Sequence, residues 1–257
     1  MSATHTYLHH SELANGIGID YAFEFEDTAK YMEAFLRKDV EVKSDEGCIY
    51  VGESEYADWK ALGNTTRNAF AEYSLIGCRT SEYLMAYDRF VFHGVAIKWH
   101  GHAWLITGRP GIGKSTQYKN LSELYPDEIG IINGDKPIIE LRDDNTAFVH
   151  PSPWNGKERW HGADGAPLAG IIFLKHGENS IAQVTPKDVA SRTYFSIFQS
   201  FDTTDIIQRV ATLTKRLLGT APIWELTNRG DLASSELIYQ VMKEWEDQHQ
   251  DLIPDLK

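Results

Sequence analysis

One run of residues in this chain has the types and spacing to hold a phosphate. Gly108, Arg109, Pro110, Gly111, Ile112, Gly113, Lys114, Ser115 and Thr116 follow one another and fit G-x-x-x-x-G-K-[ST], the phosphate-binding loop. At average composition, a chance match somewhere in a chain this long has a probability of roughly 1%. Glycines let successive backbone N–H groups turn inward as an anion-binding nest. A helix beginning near Lys114 adds its positive end. Lys114 is expected to reach the β- and γ-phosphates of ATP, and the Ser115 hydroxyl to ligate Mg²⁺.

The second candidate is Asp135. The apolar run Ile129-Gly130-Ile131-Ile132 ends in Asn133-Gly134-Asp135-Lys136. A carboxylate at the end of a buried strand downstream of the loop is where a second metal-holding group belongs, so Asp135 joins Ser115 as a metal ligand. Turn chemistry alone would also place an aspartate after glycine there. His93 either points at the nucleotide or packs. The stretch 150–162 holds prolines, glycines, tryptophans and charges without apolar periodicity. It is expected to be a structured loop of the kind that carries function. Lys157 and Arg159 could stabilise transferred phosphate, Glu158 could assist the metal or base, and Trp154 or Trp160 could wall a pocket. Asp143 and Asp144 read as a solvated turn, and His9 and His10 as surface residues.

The elements around the loop suit it. Ala103-Trp104-Leu105-Ile106-Thr107 reads as a short buried strand, and Tyr118, Leu121, Leu124 and Tyr125 recur at helical spacing. Upstream, 90–99 reads as one strand and 81–87 as a short helix. Downstream, 137–141 and 146–150 read as a hairpin and 169–174 as a buried strand. His176-Gly177-Glu178-Asn179 is expected to turn into a hairpin partner at 180–184. Helices follow from Pro186, over 206–218 and over 237–245, with a strand at 222–226. In the first 80 residues, Ile17, Ile19, Tyr21, Phe23 and Phe25 alternate as a strand does. Tyr31, Met32, Phe35 and Leu36 indicate a short helix, and 48–51 a further strand. Residues 52–80 give no clear pattern. The expectation is an N-terminal α+β appendage over 1–80, carrying no chemistry, and a kinase domain over 81–257.

Composition bounds the rest. The chain has 257 residues, 42% hydrophobic and 24% charged, with a net charge of −12. Those are globular values, and the acidic balance argues against nucleic acid or an anionic membrane as main partner. Cys48 and Cys78 form no CxxC pair, and no Cys/His cluster has zinc spacing. Met1-Ser2-Ala3-Thr4-His5-Thr6 holds no apolar leader sequence, and no run of about 18 apolar residues occurs. A soluble cytoplasmic protein is expected, with an acidic tail from 246 that frays.

Phe92-His93-Gly94-Val95 to Trp99, then Leu105-Ile106-Thr107-Gly108 and Gly111-Ile112-Gly113-Lys114-Ser115, resembles the entry to the P-loop of the HPr kinase/phosphorylase family. That family belongs to the phosphoenolpyruvate-carboxykinase-like kinases. The resemblance spans about 85–245 and is close from His93 to Ser115. It implies an α/β fold: a P-loop core with a mixed β-sheet, hairpins and flanking helices. It also implies that Lys114 binds phosphate, that Ser115 binds Mg²⁺, and that His93 lies near the phosphate. Asp135 matches the second of two neighbouring aspartates, one of which serves as base. Gly134 stands where the first would be, leaving Asp135 to do both jobs or Glu158 or Asp164 to supply one. The family's acidic, arginine-containing run does not precede Ala169, which points away from a bifunctional HPr enzyme. A phosphoenolpyruvate carboxykinase is about twice as long.

The sequence therefore leads to an ATP- and Mg²⁺-dependent kinase acting on a hydroxyl group of a small molecule, with Asp135 as base. Two alternatives stay open: a serine kinase acting on a peptide or HPr-like protein, with homo-oligomerisation, and a non-catalytic nucleotide-binding regulator.

Overall fold

The computed structural model describes residues 7–61, 63, 67–199 and 203–250. The Met1-to-Thr6 leader reading, and the tail beyond 250, lie outside them. Strands β1 (Tyr7–Leu13) and β2 (Ile17–Phe23) form an antiparallel hairpin, joined at its edge by the two-residue β3 (Leu36–Arg37). The alternating residues of β2 explain its half-buried face. Residues 48–51 make only a bridge, Tyr21 to Ile49. Helix α1 (Glu26–Met32) runs into a 3₁₀ turn (Glu33–Phe35), and α2 (Glu53–Ala61) precedes the long α3 (Ala69–Met85). The Asn68 side chain caps α3 by accepting from Ala71 N at 3.0 Å.

Helix α3 runs straight through position 80 and takes in most of the expected helix at 81–87. Its Ile76 and Leu84 share one buried cluster with Tyr21, Phe23 and Met32, and with Val91, Ile138 and Trp154 from beyond the boundary. The buried Glu72 accepts from Glu24 N, Phe25 N and the Thr28 hydroxyl, pinning the start of α1 to α3.

The strand expected at 90–99 is two. His93 separates β4 (Arg89–Val91) from β5 (Gly94–Trp99), and the two pair with different neighbours. Then come β6 (His102–Thr107), α4 (Lys114–Leu124), β7 (Ile129–Asn133), and the hairpin β8 (Ile138–Leu141) with β9 (Ala147–His150). After β10 (Ala166–His176) follow β11 (Ser180–Gln183), α5 (Pro186–Tyr194), α6 (Thr204–Leu217), β12 (Ile223–Asn228) and α7 (Leu232–Gln248).

The main sheet is mixed, in the order β4-β8-β9-β10-β6-β5-β7, and β12 pairs β10 beside β9. Strands β6, β10 and β12 are parallel, and β5 is antiparallel to both β6 and β7. Strand β7 therefore points the same way as β6, and both end at one sheet edge. Alternation along β6 sends Ala103 and Leu105 to the cluster under α5 and α6, and Trp104 and Ile106 to the one under α4 and α7.

One pairing differs from expectation. Strands β10 and β11 do not form a hairpin: β12 lies between them, parallel to β10 and antiparallel to β11. Burial decides this. The β12 residues Ile223, Leu226 and Asn228 are buried, whereas β11 has no buried residue and is suited to the edge.

Candidate active site

The phosphate loop joins the end of β6 to the start of α4, as the sequence requires. Gly108, Gly111 and Gly113 have φ of 147°, 76° and 106°, values that favour glycine. Gly113 is the N-cap of α4, with no side chain capping the helix and no acidic residue in its first turn. The first N–H groups of a helix have no partner within it. Here Lys114, Ser115 and Thr116 begin α4 at the loop, so the cradle fits an anion. Arg109, Pro110 and Gly111 form its exposed lip, and Ile112 is buried beneath. The Lys114 ammonium donates to Gly108 O at 3.1 Å and Arg109 O at 3.3 Å, curled onto its own loop. Burial pushes it down to about 8, with the Asp135 carboxylate pulling upward and Lys136 adding to the lowering.

Asp135 leaves the same sheet edge two residues beyond β7. The Gly94 N–H donates to Asp135 O at 2.8 Å, so the start of β5 sits between the carboxylate segment and the loop strand. Asn133 shapes the turn: its Oδ1 accepts from Asp135 N at 3.0 Å and Lys136 N at 2.8 Å. His93 Nε2 lies 3.4 Å from Asp135 Oδ1, and Lys136 Nζ donates to Oδ2 at 2.5 Å. Burial acts to raise this carboxyl, but His93 and Lys136 prevail and hold it at about 2. His93 itself is fixed through its backbone: its O accepts from the Thr107 hydroxyl at 2.8 Å and its N donates to Ser196 O at 2.7 Å. It thus points at the Asp135 carboxylate.

The loop 151–165 folds over this turn. Asn133 Nδ2 donates to Ser152 O at 3.0 Å, and the Ser152 hydroxyl donates to Lys136 O at 2.5 Å. Gly134 N donates to Trp160 O at 2.8 Å, and Gly162 N to Ile132 O at 3.0 Å. A Cβ at Gly134 would lie 2.8 Å from Asn155 O. A side chain at position 134 has no room: the loop backbone occupies its place. Trp154 is buried and donates from Nε1 to Tyr73 O at 2.9 Å. Trp160 turns the other way, edge-on to Tyr118 of α4 at 4.9 Å.

Lys157 is 89% exposed and lies 3.8 Å from the Glu158 carboxylate. Asp164 is exposed. A cleft of about 380 Å³ opens beside Asp135, with Lys136, Lys157 and Arg159 in its wall. Glu158 is not in that wall. Tyr31, Phe70 and Tyr73 are, and they come from α1 and α3. The first 80 residues therefore contribute to the site, which their sequence did not declare: aromatic residues at helical spacing look like any core. Lys136 was also missed, although its adjacency to Asp135 was visible.

Among the described residues, no group of three or more His, Cys, Asp or Glu could hold a metal. A nucleotide-borne Mg²⁺ needs no such cage, because phosphates and water fill most of its octahedron. Ser115 and Asp135 are donors of the right kind. His10 pairs with Asp20 at 2.6 Å, and neither Cys48 nor Cys78 is in a disulfide. No helix among the described residues is long and apolar enough to cross a membrane.

No protein-family model matches the chain, and no curated protein matches it. Among solved structures it is similar to the Hpr(Ser) kinase/phosphatase from Coxiella burnetii, with a TM-score of 0.36 and 14% identity. That similarity covers 61% of this chain and 98% of the other. A likeness that weak leaves the chemistry to be argued from the chain's own residues.

Proposed function

We propose that the protein is an ATP- and Mg²⁺-dependent kinase that transfers the γ-phosphate to a hydroxyl of a small molecule. One observation carries this reading. A phosphate cradle and an ionised carboxylate leave the same sheet edge, and a cleft large enough for a small ligand opens at the carboxylate. The loop amides and Lys114 hold the nucleotide phosphates. Asp135 orients the acceptor hydroxyl. The hydroxyl oxygen bonds to the γ-phosphorus, the bond to the ADP oxygen breaks, and the hydroxyl proton passes to Asp135. A carboxylate this weakly basic takes the proton late, once attack has acidified it. Mg²⁺ carried by the nucleotide would neutralise charge on the transferring group, with Ser115 and Asp135 as its protein ligands. The rest of the catalysis is positioning and electrostatics.

A second reading, a nucleotide-binding regulator, draws on a specific observation. Both Asp135 oxygens already have partners, Lys136 and His93. The two readings part in one experiment. The full chain is mixed with γ-labelled ATP, Mg²⁺ and a cell extract split into small-molecule and macromolecular fractions. Label in a small molecule supports the proposal. Label on a protein replaces it with a protein kinase. Label in neither, with ATP bound, leaves the regulator.

A further inference from the structure

The cleft beside Asp135 has a composition that selects its occupant. Its wall carries three cations, Lys136, Lys157 and Arg159, against the single carboxylate of Asp135, in a chain whose net charge is −12. Lys136 is committed to Asp135 and lies 5.2 Å from the centre of the Phe198 ring. Lys157 and Arg159 are exposed. The Arg159 guanidinium lies over the Tyr31 ring at 5.7 Å, on the wall built by α1. Glu33 is a further electrostatic neighbour, and its carboxyl is lowered mainly by Lys38 and only in smaller part by Arg159. Aromatic surface surrounds it: Tyr31 lies 5.0 Å from Tyr73 and 6.1 Å from Phe70, and Phe70 is 54% exposed.

We infer that the acceptor is a small hydroxy compound bearing an anionic group and a planar or apolar frame. This rests on the kinase reading above. Its hydroxyl faces Asp135, its frame lies against Tyr31, Phe70 and Tyr73, and its anion meets the Arg159 guanidinium with Lys157 at the rim. A guanidinium held over a ring keeps its fork free for a carboxylate or phosphate oxygen pair. The cations of the wall, Lys136, Lys157 and Arg159, offset the repulsion that the Asp135 carboxylate would exert on an acidic acceptor.

The test uses matched pairs: phenyllactate with phenyllactamide, mandelate with mandelamide, and N-acetylserine with its amide. Binding to the full chain is measured by calorimetry with ADP and Mg²⁺ present, and phosphate transfer from ATP is measured in parallel. The inference expects at least one acid to bind about tenfold more tightly than its amide. Arg159→Gln should reduce that preference to about twofold, and Arg159→Lys should restore part of it. Circular dichroism checks that the variants fold. Acids that bind with this dependence and accept phosphate support both the inference and the kinase reading. Acids that bind so but never accept phosphate leave the anion site standing and count against the kinase reading. Transfer to acids and amides alike overturns the inference and keeps the kinase. Binding by no acid in the panel overturns the inference, as does an Arg159→Gln effect confined to the KM for ATP.

Discussion

His93 Nε2 and Asp135 Oδ1 stand 3.4 Å apart where β5 begins and β7 has just ended. The pair joins two residues that the sequence separates by β5, β6, the phosphate loop, α4 and β7. With Lys136 on the other oxygen, it keeps Asp135 ionised and aimed. Asp135→Asn keeps the shape and removes the charge. Phosphate transfer should fall by about 10²–10⁴-fold, while the Kd for ATP without metal stays within about twofold. An Asp135→Asn protein with full transfer would end the mechanism proposed here.

The same contacts make Asp135 a source of acid-sensitive stability. Its carboxyl titrates at about 2 in the folded chain, below its ordinary 3.8. The stabilisation is therefore complete above about pH 4 and is lost as pH falls through 2, because the unfolded chain takes up the proton first. The shift corresponds to about 2 kcal/mol. Denaturant unfolding between pH 5 and pH 2 should show a shallower stability loss for Asp135→Asn than for the unaltered chain. Identical slopes would mean that His93 and Lys136 do not hold the carboxylate in solution.

The placement of these residues follows in part from local chemistry. Glycines at positive φ, a strand before and a helix after fix the phosphate loop wherever it occurs. The place of Asp135 just past β7 follows from the apolar run that ends at Asn133. The wall formed by Tyr31, Phe70 and Tyr73 is not legible in the sequence, because long-range bonds build it: Glu72 pins α1 to α3, and Tyr73 and Trp154 tie α3 to the loop beside Asp135. The expected strand over 90–99 failed for a related reason: apolar continuity hides the change of partner at His93. The β10–β11 hairpin failed because its tight turn has local signals, whereas insertion of β12 is a long-range choice made by burial.

Gly134 tests whether the loop 151–165 excludes a second carboxylate beside Asp135. Its added Cβ would meet Asn155 O at 2.8 Å and Trp160 Cβ at 3.1 Å. Gly134→Ala should destabilise the chain by about 1–3 kcal/mol, measured by urea unfolding. Gly134→Asp should do at least as much and should not raise transfer. A more active Gly134→Asp enzyme would show that the loop yields readily and that the second carboxylate is merely absent.

The phosphate loop also depends on a buried polar network behind it. Gln117 of α4 donates to Ser234 Oγ at 2.9 Å and to Asn228 Oδ1 at 3.3 Å, and accepts from the Ser235 hydroxyl at 2.6 Å. Gln117→Leu removes both roles and strands the partners in an interior where unpaired polar groups are costly. The expected loss is about 1–3 kcal/mol. Because α4 carries the loop, the Kd for ATP should rise as well. A variant that loses stability with unchanged nucleotide affinity would confine the network to packing.

Lys114 gives the prediction that reaches furthest into function. Burial holds its ammonium at about 8 in the free chain, below its ordinary 10.5. The unfolded chain keeps the proton longer, so the cost of burying this charge is present below pH 8 and is relieved as pH rises towards 10.5. Nucleotide phosphates favour the charged form and should restore it. Binding of ATP near pH 8.5 should therefore draw about one proton from solution, and affinity should fall by up to about tenfold per pH unit above 8. Calorimetry in buffers of different ionisation enthalpy counts the proton directly. Lys114→Met should bind more weakly, take up no proton and lose the slope, and it should not transfer phosphate. Proton uptake that persists in Lys114→Met would place the titrating group elsewhere and detach Lys114 from the phosphates.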